Sequence, residues 1–237
     1  QIVVAAPKHA IGLADVRVTR TNDRELISPQ AFRYHATDVA FEGVETFAAC
    51  DKGTYSIRTG QLDGCGGEDL AVTCDGGQIR VYPNSSDRYE EPFSMPGEGM
   101  VHFADANGDG VLDLVNILWG MVRVYPNHGI ARCGEWTGFG AAIETKNGDL
   151  TYSRTEVRDL DADGNLDIIG MNNASAGIVW GIGGGVFEAT ATRFALEDPL
   201  GLATGDFDGD GLVDIALGSG ATPGGEVVIF EGLGGRN

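Results

Sequence analysis

The chain has 237 residues, 42% of them apolar and 8% aromatic, enough to bury a core without help from a metal or a disulfide. Sixteen basic residues against 35 acidic ones give a formal net charge of -19, which excludes the basic footprint of a nucleic-acid-binding protein and disfavours anionic membrane surfaces. No apolar run approaches the roughly 18 residues of a spanning helix, and glycine, at 37 residues, stands at about twice its usual share, so the expectation is an all-β protein rich in tight turns.

In chain order, the first feature is Gln1, read as a mature N-terminus after removal of a signal peptide, hence a secreted protein. The apolar run Ile2-Val3-Val4-Ala5-Ala6 follows and predicts a strand. Thr19 to Ile27 is a weak echo of a motif that becomes clear downstream. Gly60-Gln61-Leu62-Asp63-Gly64-Cys65-Gly66-Gly67-Glu68-Asp69 is a degenerate copy of it. Three full copies come next. They are Asp105-Ala-Asn107-Gly-Asp109-Gly-Val111-Leu-Asp113, Asp159-Leu-Asp161-Ala-Asp163-Gly-Asn165-Leu-Asp167 and Asp206-Phe-Asp208-Gly-Asp210-Gly-Leu212-Val-Asp214. The intervals between them are 54 and 47 residues, and each runs straight into an apolar stretch.

A second element keeps the same register. Ile79-Arg-Val-Tyr82-Pro-Asn84 returns 43 residues later as Val122-Arg-Val-Tyr125-Pro-Asn127, and Trp180 and Phe230 fall at the same phase after the later copies. Each unit therefore reads as strand, acidic loop, strand, glycine-rich turn, strand, variable strand. Four strands in a unit of 40–50 residues is the footprint of a β-propeller blade. The predicted architecture is a single β-propeller domain over residues 1–237, with five blades at about 10–52, 53–97, 98–150, 151–198 and 199–237. The last blade stops after its third strand, and the N-terminal strand, within residues 1–9, is expected to close the ring.

The acidic loops carry the most specific chemistry. Oxygen side chains at the first, third and fifth positions point to one centre; a backbone carbonyl at the seventh and an Asp at the ninth complete a hard-oxygen cage suited to Ca²⁺. About three ions are predicted, one in each full copy. The ligands would come from Asp105, Asn107, Asp109, Val111 and Asp113, from Asp159, Asp161, Asp163, Asn165 and Asp167, and from Asp206, Asp208, Asp210, Leu212 and Asp214. An EF-hand is excluded, because its twelfth position requires Glu, whereas Asn116, Gly170 and Leu217 stand there and strand-like sequence follows. The degenerate copy has Gln61 and Cys65 at ligand positions, so no metal is predicted in it.

These motifs resemble the FG-GAP/VCBS repeat family, whose propeller blades carry DxDxDGxxD calcium loops, as in the integrin α-chain. The resemblance extends over about residues 55–235. Among free-standing members the chain is similar to the fungal propeller lectins related to the Psathyrella velutina lectin. That resemblance implies a secreted, calcium-stabilised binding module for a carbohydrate or glycoprotein glycan. A protein-binding adhesion module and a polysaccharide-active enzyme, lyase or hydrolase, are the alternatives.

The blade layout also orders the cysteines. Cys65 and Cys133 fall on the acidic-loop face and Cys50 and Cys74 on the opposite one, so Cys50–Cys74 and Cys65–Cys133 are expected among the three connectivities four cysteines allow. Tyr82, Tyr125, Trp180 and Phe230 read as packing between blades or, alternatively, as sugar-stacking platforms. Trp119 and Trp136 fall in predicted turns and are candidates for an exposed stacking surface. No nucleophile elbow, HExxH or phosphate loop is present, and His9, His35, His102 and His128 are scattered, so no catalytic residue is named.

Overall fold

In the computed structural model the described residues are the strands Gly12–Thr19 and Glu25–Tyr34 and residues 47–84, 89–129, 136–147, 153–172, 174–221 and 223–236. Two compact units emerge, Gln1–Phe47 and Ala48–Asn237. In the first, β1 (Gly12–Thr19) and β2 (Glu25–Tyr34) form an antiparallel hairpin, with Thr19 opposite Glu25. The weak motif echo at Thr19–Ile27 thus spans the link between the two strands. The N-terminal strand expected to close the ring, together with His9, His35 and Cys133, lies outside the described residues.

The second unit is a series of antiparallel sheets built to one plan. The first sheet contains β3 (Thr54–Gly60), β4 (Asp69–Cys74), β5 (Gln78–Tyr82) and β6 (Phe93–Pro96) in sequence order. The second contains β7 (Met100–Ala104), β8 (Asp113–Leu118), β9 (Met121–Tyr125) and β10 (Ile143–Lys146). The third is made of β11 (Arg154–Arg158), β12 (Asp167–Met171) and β13 (Ala176–Val179). A small hairpin, β14 (Gly181–Gly183) and β15 (Val186–Phe187), precedes its last strand, β16 (Thr192–Phe194). The fourth has three strands, β17 (Pro199–Gly205), β18 (Asp214–Ser219) and β19 (Glu226–Phe230). No helix occurs among the described residues, and the predicted strand, acidic loop, strand order holds in all four sheets.

The core lies between sheets. Leu62, Ala71, Ile79, Val81, Val101 and Leu114 join the first sheet to the second. Val115, Ile117, Val124, Ile168, Val179 and Phe187 join the second to the third. Ile169, Met171, Ile178, Ile215 and Leu217 join the third to the fourth. Because sheets pack on both faces of their neighbours, the second strands β4 and β12 are buried along their whole length and β8 in all but Leu118. That is why they read as continuous apolar runs and not as alternations. The first strands β3, β7, β11 and β17 touch one another in succession, which places them innermost in a propeller-like stack.

Polar bonds stitch these inner strands. His102 Nε2 and Thr155 Oγ1 are 2.7 Å apart, linking β7 to β11 in a buried setting. Val101 N–H donates to Ser56 Oγ at 3.3 Å, linking β7 to β3. The β14–β15 hairpin leans on the second sheet, where Phe187 N–H donates to Thr145 Oγ1 at 3.2 Å. On its other face the first sheet is covered by Ala49 and Cys50, with a Cys50–Cys74 disulfide and a 2.8 Å bond from Tyr82 Oη to Ala49 O. This disulfide is one of the two expected. Cys65 is also disulfide-bonded.

Candidate metal centres and ligand cleft

The three full acidic loops fold alike because each uses its own carboxylates to organise its own backbone. The first-position Asp accepts N–H groups with both oxygens. Asp105 Oδ1 takes Gly108 and Asp109 N–H at 2.8 and 3.0 Å, and its Oδ2 takes Gly110 N–H at 2.9 Å. Asp159 and Asp206 repeat the long bond, to Gly164 and Gly211 N–H, both at 3.0 Å. Third- and fifth-position side chains each use Oδ1 for the N–H two residues on: Asn107 for Asp109 (2.8 Å), Asp109 for Val111 (2.9 Å), Asp163 for Asn165 (2.7 Å), Asp208 for Asp210 (3.0 Å) and Asp210 for Leu212 (2.8 Å). These Asx-type turns leave a second oxygen free of the turn bond on each Asp side chain, whereas Asn107 keeps only its amide nitrogen.

The ninth-position Asp does a different job. In every copy, the degenerate one included, one oxygen accepts the second-position N–H and the other accepts an N–H just beyond the third strand. The pairs are Leu62 and Asn84 for Asp69 (2.6 and 2.7 Å), Ala106 and Asn127 for Asp113 (3.1 and 2.9 Å), Leu160 and Gly181 for Asp167 (2.8 and 2.7 Å), and Phe207 and Gly232 for Asp214 (2.7 and 2.8 Å). All four carboxylates are buried. They tie the loop, the second strand and the end of the third strand together whether or not an ion is bound.

Burial pushes the carboxyl of Asp167 up to about 6 and raises those of Asp69 and Asp113 above the ordinary value. Asp214 sits in the three-stranded sheet with less protein around it. There the Gly232 and Phe207 N–H bonds dominate and hold it below the ordinary value. Asp163 is likewise lowered, chiefly by the Asn165 N–H.

The donor sets fit a hard divalent cation. Asp159, Asp161 and Asp167 present carboxylate oxygens within 4.8 Å of one another, and so do Asp206, Asp208 and Asp210. In the first loop Asn107 stands where the other two have Asp, so Asp105, Asp109 and Asp113 are its carboxylate members, and Asn107 Nδ2 donates to Asp109 Oδ2 at 2.9 Å. The degenerate loop closes itself. Gln61 Nε2 donates to Cys65 O (3.3 Å) and to Gly67 O (3.0 Å), the seventh-position carbonyl that a cation would otherwise take. A side-chain amide thus occupies the carbonyls that face the loop centre.

The aromatic residues separate into packed and open ones. Tyr82 is buried, Tyr125 joins the cluster between the first two sheets, and Trp180 joins that between the third and fourth. Phe230 stacks against Phe194 with centroids 4.6 Å apart. Trp136 faces Phe93 and Phe139 edge-on at 5.6 and 5.1 Å and donates its Nε1–H to Asn127 Oδ1 at 2.9 Å. Its ring belongs to the packing between sheets. Trp119 is the open one, 83% exposed in the β8–β9 turn.

Trp119 borders a cavity of about 540 Å³ that also involves Tyr55, Asp75, Glu98, Gly99 and Met100. The strand directions put this cleft at the end of the sheets opposite the acidic loops. It lies between the first and second sheets, where the β4–β5 turn, the β6–β7 link and the β8–β9 turn converge. Two exposed aromatic rings and two exposed carboxylates share one opening. Trp119 is identifiable from sequence as a turn aromatic. Tyr55, Asp75 and Glu98 carry no such signal, since only the folding of two sheets against each other assembles them.

Residues 159–217 match the FG-GAP-like repeat family. No curated protein sequence matches the chain. Among solved structures, a chain of the Photorhabdus luminescens Tc holotoxin pore is similar over 98% of this chain at 18% identity, with a TM-score of 0.51. An Agrocybe aegerita lectin, described as recognising non-reducing terminal N-acetylglucosamine, is similar over 73% at 19% identity, with a TM-score of 0.47. This chain spans 11% of the toxin chain and 51% of the lectin. The toxin likeness supports a shared fold.

Proposed function

We propose that this protein is a secreted, calcium-stabilised β-propeller of five repeats that binds carbohydrate and holds its ligand in the Trp119 cleft. The observation that carries the sugar reading is the composition of that cleft. A pyranose has one apolar face and a rim of hydroxyls. Exposed indole and phenol rings suit the face, and the carboxylates of Asp75 and Glu98 accept hydrogen bonds from the rim. Calcium is supported by the three loops, whose Asp side chains at the third and fifth positions keep a second oxygen beyond those used by the backbone. When bound, the ion would cancel the repulsion among these carboxylates and pin the first strand of a sheet to its second. Secretion is supported by the Cys50–Cys74 disulfide, which persists in oxidising compartments.

A glycan array probed in millimolar Ca²⁺ tests the reading. Binding to at least one glycan class, lost in Trp119→Ala, is expected. An array without hits would remove the carbohydrate claim. Appearance of new reducing ends or unsaturated products on incubation with polysaccharides would replace it with the enzyme reading.

A further inference from the structure

The three acidic loops are unequal, and the difference lies in one side chain distant in sequence. Arg236 reaches across to the second loop. Its Nε–H pairs with Asp161 Oδ2, and Nη2 lies 3.1 Å from Asp163 Oδ2. Nη1 donates to Glu188 Oε1 at 3.0 Å, and Nη2 also donates to Gly181 O at 2.7 Å. The guanidinium carbon lies 5.0 Å from the centroid of the Trp180 ring, so the same group is held by a cation–π contact. Among the described residues no ion pair reaches the carboxylates of the first or the third loop.

The choice of oxygens matters. Asp161 Oδ1 and Asp163 Oδ1 accept the backbone N–H groups of Asp163 and Asn165, as their counterparts do elsewhere. Arg236 takes the two Oδ2 atoms, the ones that remain for an ion. A divalent cation drawing on Asp161 and Asp163 must displace the guanidinium from them or share oxygens with it. Two cationic groups cannot occupy that space without strong repulsion.

We propose that Arg236 is a tethered cation that competes with Ca²⁺ for the second loop, making it the weakest of the three sites, and that ion binding there releases the Arg236 segment. Release has a second effect. Leu233, Gly235 and Arg236 line a cavity of about 250 Å³ with Trp180, Phe194 and Phe230. Withdrawal of the segment exposes the Trp180 face and the mouth of that cavity. The proposal rests on the calcium reading and adds a regulation to it.

Isothermal titration of the full chain with Ca²⁺ tests it, with Trp fluorescence followed in parallel. In the wild type, two tighter ions and one weaker one are expected. In Arg236→Ala, the weak site should tighten by about ten- to hundredfold, the scale of losing charge-assisted bonds to its carboxylates. The late fluorescence change seen in the wild type should vanish, and Trp180→Phe should abolish it as well. Arg236→Lys, which keeps a charge but loses the planar fork, should fall between the two and serves if the alanine variant does not fold. Equal affinities in wild type and both variants would overturn the latch while leaving calcium binding intact. Absence of Ca²⁺ binding in every protein would overturn both.

Discussion

At the residue scale, the ninth-position and fifth-position Asp residues answer different needs, and substitution separates them. Asp113 is fully buried and takes three backbone N–H groups, from Ala106, Asn107 and Asn127. Removing it strands those donors away from water. Asp113→Ala should cost at least about 3 kcal/mol with or without Ca²⁺, because each of the three orphaned donors costs about 1–3 kcal/mol. Asp109 is exposed and organises only the local turn. Asp109→Ala should leave the chelated protein within about 0.5 kcal/mol of wild type and lower stability mainly when Ca²⁺ is present. Denaturant titrations in Ca²⁺ and in chelator give all four numbers, and a calcium-dependent loss for Asp113→Ala alone would reverse the assignment. Gln61 offers the complementary case. Its amide bonds two loop carbonyls, so Gln61→Ala should cost about 1–2 kcal/mol, equally in Ca²⁺ and in chelator.

At the scale of the element, the inner strands are held by a buried imidazole. His102 on β7 is neutral in the fold. Desolvation, helped by the positive charge of Arg58 on β3, lowers its pKa to about 3 from the ordinary 6.5. Between those values the unfolded chain binds a proton that the folded chain refuses, so stability falls as pH drops below 6.5. At pH 5 the loss is about 2 kcal/mol relative to pH 7.5. Asp167 titrates in the opposite sense. With its pKa raised to about 6, its contribution is complete below the ordinary 3.8 and fades as pH rises through 6. Comparing wild type with His102→Gln at each pH cancels Asp167 and leaves the imidazole. The stability difference between the two proteins should shrink by about 2 kcal/mol from pH 7.5 to pH 5; a difference that does not change with pH would mean that His102 carries no proton-linked cost.

The same elements show how far sequence alone reaches. The acidic loops were legible because their carboxylates bond backbone N–H groups two to seven residues away, so the pattern is local. The pairing of second with third strand in each sheet follows from a short turn, and the apolar second strands announce sheets stacked on both sides. The His102–Thr155 bond joins positions 53 residues apart, and Arg236 lies 75 residues from Asp161. No local pattern marks such partners. The packing of Trp136 escaped for a related reason. A turn position predicts exposure, yet Phe93 from the preceding sheet arrives to cover the ring. The β14–β15 hairpin carries little sequence signal, because Gly183, Gly184 and Gly185 make up most of its turn and its side-chain anchor is Phe187.

For the whole molecule, the decisive quantity is the distribution of the -19 formal charge. Eleven carboxylates in the three motif copies crowd one end of the sheets, opposite the Trp119 cleft. Three bound Ca²⁺ ions would bring the formal charge to -13 by removing repulsion where it is most concentrated. Monovalent salt acts differently. At 1 M it shortens the screening length to roughly 3 Å, which weakens repulsion between exposed carboxylates but bridges none of them. An ion present at a hundred times its dissociation constant contributes about 2.7 kcal/mol per site, and a chain of this size gains roughly 2–4 °C per kcal/mol. Full occupancy of three sites should therefore raise the melting temperature by roughly 15–30 °C over the chelated protein. Sodium chloride at equal or higher ionic strength should recover only a minor part of that shift. The third loop has no ion pair among the described residues and exposes Asp206, Asp208 and Asp210 together, so Asp206→Asn with Asp208→Asn should remove more of the calcium-dependent shift than the equivalent pair in the second loop, where Arg236 already neutralises part of the cluster. Differential scanning calorimetry of the two double variants, each in Ca²⁺ and in chelator, measures this ordering directly. Equal losses from the two loops would show that Arg236 does not share the charge, and a melting temperature indifferent to chelation in the wild type would show that the acidic loops hold their shape by backbone hydrogen bonds alone.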